Sequence, residues 1–360
     1  MQRRWAQGPI VTLVLAFALT AAFALELAFA VDAGTGPLSL GSRTLLIAGG
    51  MFPPLVHDGD WWRLGTATFV HADVFQLAAY ASALLIAGLA LERRIGGAWL
   101  AALFFLGGAA GNACALVANA DNAVEVGAAG GVMAILGAGV VAALAGEPAA
   151  SRRKLLYALG CAFVPAAVPL ISHASAGHVD FAGHIGGAAM GVAAGALLTP
   201  VWRGRVRLRA LAIAMCVAGI GVAVYGGLAS RHAYLVASLM RDLAPSSLLA
   251  GSDAAERSEE AVRAYPRDPR ARFIRALALL DRQDLPGAER ELRAALAERD
   301  ILRLLFAQTP LEREIRVGLV SVLVDEKKLD DARAVAEPIC NGPAANVPEG
   351  WTPLHVCGPK

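Results

Sequence analysis

Two hydropathy regimes divide this chain. Up to about Ser230, long apolar runs alternate with short polar junctions; beyond it, apolar and charged residues interleave at helical spacing. A helix of about 20 apolar residues crosses the hydrocarbon core of a bilayer. Seven runs approach that length, near Val11 to Val31, Val74 to Leu91, Ala98 to Val117, Gly127 to Ala145, Leu155 to His173, Phe181 to Leu198 and Ala210 to Ala229. After them, Ala254 to Ala264, Ala271 to Leu280 and Gly287 to Leu296 show the three-to-four-residue period of amphipathic helices. The pattern predicts an all-α chain, with a membrane helix bundle over residues 1–230 and a soluble α-helical carboxyl-terminal domain over residues 231–360.

Composition agrees with a membrane protein. Of 360 residues, 56% are hydrophobic and 17% charged, against roughly 25% charged in an average soluble domain. A net charge of +2 gives no footprint for nucleic acid. The distribution of charge says more than its sum. Arg3 and Arg4, Arg93 and Arg94, Arg152 to Lys154, and Arg203, Arg205, Arg207 and Arg209 fall at alternate junctions, whereas Asn119 to Glu125 and Ser172 to Asp180 hold no Lys or Arg. Cytoplasmic loops near membrane-spanning ends are rich in Lys and Arg, so the amino terminus is predicted cytoplasmic and the carboxyl-terminal domain outside. The expected location is a bacterial inner membrane or a plasma membrane. A secretory signal is the competing reading of the first run, from Arg3, Arg4 and the small residues Ala28-Phe29-Ala30. Against it, the run exceeds the 7 to 15 apolar residues typical of a signal and contains Glu26.

Within the soluble part, Pro269 to Leu296, with Ala276, Leu280, Asp284, Ala288 and Ala295, resembles a tetratricopeptide-type helical hairpin. Gly318, Leu319, Leu323, Lys328, Leu329 and Ala332 repeat the pattern about 44 residues later, longer than the 34 residues of that family. Stacked helix pairs leave a groove suited to a peptide or a partner helix; a small helical bundle with no partner is the plainer reading. Cys114, Cys161 and Cys216 lie in predicted spans and act as small apolar side chains. Cys340 and Cys357 lie in the outer segment, where an oxidising compartment would let them pair.

The most specific signals lie in the membrane part: Trp62-Arg63-Leu64, Thr66, Phe69 and His71 before the second span, Glu92 and Gly96 at its end, Gly111-Asn112 in the third, Gly127-Ala128-Ala129-Gly130 opening the fourth and Gly183-His184-Ile185-Gly186-Gly187 opening the sixth. In this order and spacing they resemble the rhomboid family of intramembrane proteases, over about Pro9 to Pro200. The resemblance implies a polytopic bundle of rhomboid type, a six-helix core to which this chain adds a seventh span. It also implies a catalytic dyad of a serine on the fourth helix and a histidine on the sixth, with no cofactor or metal.

This chain departs from that pattern. Ala129 stands at the nucleophile position, so His184 is a base without its nucleophile. On the second helix, where family members commonly carry a His and an Asn that assist the oxyanion, Gln76 and Tyr80 stand; a Gln amide or a Tyr hydroxyl can still donate a hydrogen bond. Other hydroxyls, on Thr66, Thr68, Ser82, Ser172 and Ser175, lack the family's position opposite His184. His71, His173, His178, His184, Asp73 and Asp180 gather on the predicted outer side, but their spacing is irregular for a metal site. Gly183, Gly187, Gly191 and Gly195 form a side-chain-free ridge on the sixth span, and Gly130, Ala134 and Ala138 a small-residue ridge on the fourth, surfaces of the kind that let membrane helices approach closely.

The reading is a rhomboid-family membrane pseudoprotease that binds transmembrane or membrane-anchored clients, with lipid around it and a protein partner for the helical tail. An active intramembrane serine endopeptidase with an altered site and a membrane-anchored helical-repeat scaffold are the alternatives.

Overall fold

A computed structural model of the chain describes residues 9–119, 123–145, 148–172, 180–202, 209–238, 243–307, 309–341, 348, 351, 356 and 357. Among them all extended structure is confined to three isolated bridges, Ala33 with Leu40, Ser39 with Asp73 and Met51 with Glu125. The chain forms two compact units, Met1–Tyr234 and Leu235–Lys360.

The first unit begins with α1 (Ile10–Ala28) and three short helices, α2 (Ser42–Ala48), α3 (Pro53–His57) and α4 (Arg63–Thr66). It continues with α5 (Val74–Ile95), α6 (Gly97–Ala118), α7 (Ala129–Leu144), α8 (Ala149–Ser172), α9 (Phe181–Trp202) and α10 (Arg209–Ser238). Helices α1, α5, α6, α8, α9 and α10 are long and apolar enough to cross a membrane. Helix α7 has 16 residues and rises about 24 Å, short of the roughly 30 Å hydrocarbon core. It starts two residues later than its apolar run because Gly127 sits at φ 118°, a left-handed conformation that no helix continues through. The Gly127 N–H instead donates to the Ala67 carbonyl at 2.9 Å. At the other end of the unit, α10 runs nine residues beyond the expected Ala229, and the two units divide within it, after Tyr234.

Small residues bring α7, α9 and α6 together. A methyl group built on Gly187 would overlap the Gly130 backbone, and one built on Gly191 would overlap Ala134, so the two ridges read from the sequence do meet. Buried polar groups then fix the remaining helices. Glu92 accepts from the Val11 N–H (3.0 Å), the Thr12 N–H (2.8 Å) and the Thr12 hydroxyl (2.6 Å), capping the start of α1. The Arg63 side chain is 1% exposed; it donates to the carbonyls of Leu46 (2.7 Å) and Gly50 (3.0 Å) and pairs with Asp60 (3.0 Å). Asn112 on α6 donates to the Leu64 carbonyl at 2.8 Å. These bonds hold the α2–α4 segment against the bundle.

The second unit contains α11 (Ser246–Leu249), α12 (Ala254–Ala264), α13 (Pro269–Asp281), α14 (Leu285–Ala297), α15 (Arg299–Leu305), α16 (Leu311–Asp325) and α17 (Leu329–Cys340). Helices α13 and α14 form one hairpin, and α16 and α17 a second. Each turn has a left-handed residue, Gln283 in the first and Lys327 in the second. Equivalent backbone bonds close both turns, Asp284 N–H to Leu279 O (2.9 Å) and Lys328 N–H to Leu323 O (2.8 Å). The repeat of about 44 residues is therefore present in the backbone, and α15 occupies the additional length. Lys328 pairs with Glu289 (2.6 Å) and Asp331 with Arg293 (2.7 Å), joining α14 to the second hairpin. Cys340 and Cys357 form a disulfide with Cα atoms 5.6 Å apart, the pairing expected from the sequence.

Candidate functional site

The four positions singled out in the membrane part converge. Ala129 is the first residue of α7 and His184 lies in the first turn of α9; each is 5% exposed. Their neighbours Gly130 and Gly183 meet over Gly111 of α6, where an added Cβ would lie 3.0 Å from the Gly130 Cα and 2.7 Å from the Gly183 carbonyl oxygen. From α5, Gln76 and Tyr80 reach the same loop. A Cβ built on Gly127 would lie 2.9 Å from Tyr80 Cε2 and 3.2 Å from Gln76 Nε2.

Each side chain has defined partners. The Gln76 amide is a staple: its oxygen accepts from the Ala72 N–H (2.9 Å), and its Nε2 donates to the Val126 carbonyl (3.3 Å). Its backbone N–H is taken by Asp73, which caps α5. Nδ1 of His184 lies 2.7 Å from the Asp180 carbonyl and Nε2 lies 3.3 Å from the Ala166 carbonyl of α8. A neutral imidazole carries one N–H and can donate to only one of these oxygens. Tyr80 is 2% exposed and its ring lies beside two histidines, with centroids 6.0 Å from His184 and 6.3 Å from His71.

His71, in the loop before α5, is wholly buried. Burial disfavours its charged form and pushes its pKa down to about 4, although Nδ1 faces the Phe69 carbonyl at 3.0 Å. Its Nε2 has no hydrogen-bond partner among the described residues. The buried Glu26 carboxylate of α1 accepts the His71 backbone N–H at 3.2 Å.

The alternative hydroxyls are engaged or remote. Thr66 donates to the Gly49 carbonyl (2.8 Å), and Thr68 accepts from Asn112 (3.4 Å). Ser82 lies on the exposed side of α5. The Ser172 side chain, Ser175, His173 and His178 lie outside the described residues. Among those described, no three His, Cys, Asp or Glu side chains form a metal-ion group.

One organising residue carries no motif signal. Asn119, at the end of α6, donates from one amide nitrogen to Glu125 (2.7 Å) and to Asp180 (3.0 Å). Asp180 also accepts the Gly183 N–H at 2.7 Å, so this amide ties together the approaches to α7 and α9. Its only sequence signal is a polar residue in a junction without Lys or Arg.

A rhomboid domain model matches residues 58–201, a span that includes Gln76, Tyr80, Ala129 and His184. Through this domain, the chain is similar to the rhomboid family. Its curated relatives include rhomboid-like protease 1 of Toxoplasma gondii, 30% identical over 46% of this chain and 59% of that protein. Rhomboid-like protease 2 of the same organism is 30% identical over 46% of this chain and 60% of its own length. The rhomboid protease GluP of Bacillus subtilis is 28% identical over 52% of this chain and 36% of its own. The chain thus spans about 60% or less of these relatives. No solved structure matches it. The rhomboid match spans α4 to α9 and leaves α1 to α3, α10 and the second unit outside it.

Proposed function

We propose that this protein is a rhomboid-family pseudoprotease that binds membrane-protein clients without cutting them. The observation that carries this reading is Ala129. Peptide hydrolysis by this family's chemistry needs a hydroxyl beside the histidine, and the first residue of α7 offers a methyl group. Loss of a serine nucleophile costs a soluble serine protease on the order of 10⁶ in turnover. In this reading His184 is the retained base position, Ala129 the vacated nucleophile position, and Gln76 and Tyr80 the substituted oxyanion-side positions. Clients would be transmembrane or membrane-anchored segments held among the helices.

The tail is read as a tetratricopeptide-like module that recruits a protein partner, and its hairpin repeat supports this. The basic junctions support an amino terminus in the cytoplasm and a tail outside, in a bacterial inner or plasma membrane; the Cys340–Cys357 pair suits that oxidising side.

The experiment is incubation of the purified full chain with a panel of single-span membrane substrates, beside its His184→Ala variant. No cleavage by either protein is expected. Cleavage that disappears in His184→Ala would overturn the reading and establish an active endopeptidase, the alternative favoured by the names of its curated relatives. Crosslinking in the native membrane identifies the clients.

A further inference from the structure

The space beside His184 bears on the chemistry as much as the missing hydroxyl does. A scissile peptide has to place its carbonyl carbon about 3 Å from the nucleophile and its oxygen about 3 Å from the oxyanion donors. That volume lies beside the histidine, between α5 and the loop leading to α7. Here it is bordered by Tyr80, whose ring meets His184 at a centroid separation of 6.0 Å and His71 at 6.3 Å. Aromatic rings at such separations are in contact, and no peptide group fits between them. The same ring lies against the Gly127 backbone, at 2% exposure. Beside it, the Gln76 amide is spent on the backbone of Ala72 and Val126.

We propose that the Tyr80 ring plugs the acyl-binding space beside His184, so that restoring serine at position 129 does not by itself restore chemistry. The inference rests on the pseudoprotease reading and extends it: the site must be emptied as well as rearmed. It also directs clients to helix surfaces away from this cavity.

The test compares full-length Ala129→Ser, Tyr80→Asn and the double variant, asparagine being the residue the family commonly carries there. The probe is a fluorophosphonate. The introduced serine Oγ forms a bond to phosphorus, the P–F bond breaks, fluoride leaves and the hydroxyl proton passes to His184. Labelling of the double variant at position 129 is expected to be faster than that of Ala129→Ser by at least about tenfold, and to be lost when His184→Ala is added. Equal labelling of the single and double variants would overturn the plug.

A second measurement needs no catalysis. Ala129→Cys is expected to react with a small water-soluble methanethiosulfonate at least about tenfold more slowly than Ala129→Cys with Tyr80→Ala; equal rates sink the proposal even if neither serine variant labels. Monodisperse elution and cooperative melting in detergent establish that each variant is folded. The two readings fail separately. Histidine-dependent cleavage by the unaltered chain removes the pseudoprotease, whereas rescue by Ala129→Ser alone removes the plug and leaves the pseudoprotease standing.

Discussion

Gly187 of α9 lies directly on the backbone of Gly130 of α7, close enough that even a methyl group on Gly187 would overlap Gly130. Close approach of this kind brings the helices carrying Ala129 and His184 to one place. Gly187→Leu inserts a branched side chain where no space exists, and overpacking costs about 1–3 kcal/mol. The melting temperature of the membrane unit in detergent is expected to fall, and an unchanged value would contradict the ridge-on-ridge packing.

Burial of His71 is expected to make the membrane unit acid-sensitive. Its pKa lies near 4 in the folded chain, against 6.5 ordinarily, so the unfolded chain binds more protons between those values. The stability that His71 contributes is fully present above about pH 6.5 and declines as pH falls toward 4, by up to about 3 kcal/mol. Denaturant titrations at pH 7, 5.5 and 4.5 should show the decline, and His71→Gln should flatten it. An equally steep profile in the variant would assign the sensitivity elsewhere.

In the second unit the sign is the same, but the window is lower. Bonds from Lys328 and Arg293 hold the Glu289 pKa down to about 2, so its contribution is present above about pH 4.5 and lost as pH falls toward 2. The Lys328 side chain is 46% exposed, and solvent screening keeps the coupling of the pair small. A double-mutant cycle of Glu289→Gln and Lys328→Met should return a weak favourable coupling that shrinks in high salt. A coupling near zero would show that this pair does not help to join the hairpins.

The Cys340–Cys357 bond closes a loop with a sequence separation of 17. By chain entropy such a closure stabilises by about 3 kcal/mol. Mass spectrometry under non-reducing conditions should find the two cysteines linked, and reductant should lower the melting temperature of the second unit. Two free thiols in protein isolated from its native membrane would remove the pair.

Much of this architecture is legible in the sequence because it is periodic. Apolar run length marks the spans, the fourfold spacing of Gly183, Gly187, Gly191 and Gly195 marks a packing face, and the recurrence from Leu280 to Leu329 marks two related hairpins. The site was legible through its motifs, which located Ala129, His184, Gln76 and Tyr80. What those side chains touch was not. Sequence chemistry left Gln76 and Tyr80 as available donors, whereas tertiary packing occupies the Gln76 amide with backbone and turns Tyr80 toward His184. Asn119 was invisible for the same reason: a bridge to Glu125 and Asp180 exists only once three helix ends have assembled. The start of α7 depends on the backbone torsion at Gly127, which hydropathy does not encode.

The Glu92 cap bears on the order in which the chain is built. Val11 and Thr12 take their partner from a carboxylate 80 or 81 residues further along, so on emerging from the ribosome α1 has an unfinished first turn. It stays unfinished until the next long helix has been synthesised and inserted. For that interval these N–H groups lack their carboxylate partner, and their capping marks the moment when α1 and α5 have become a pair.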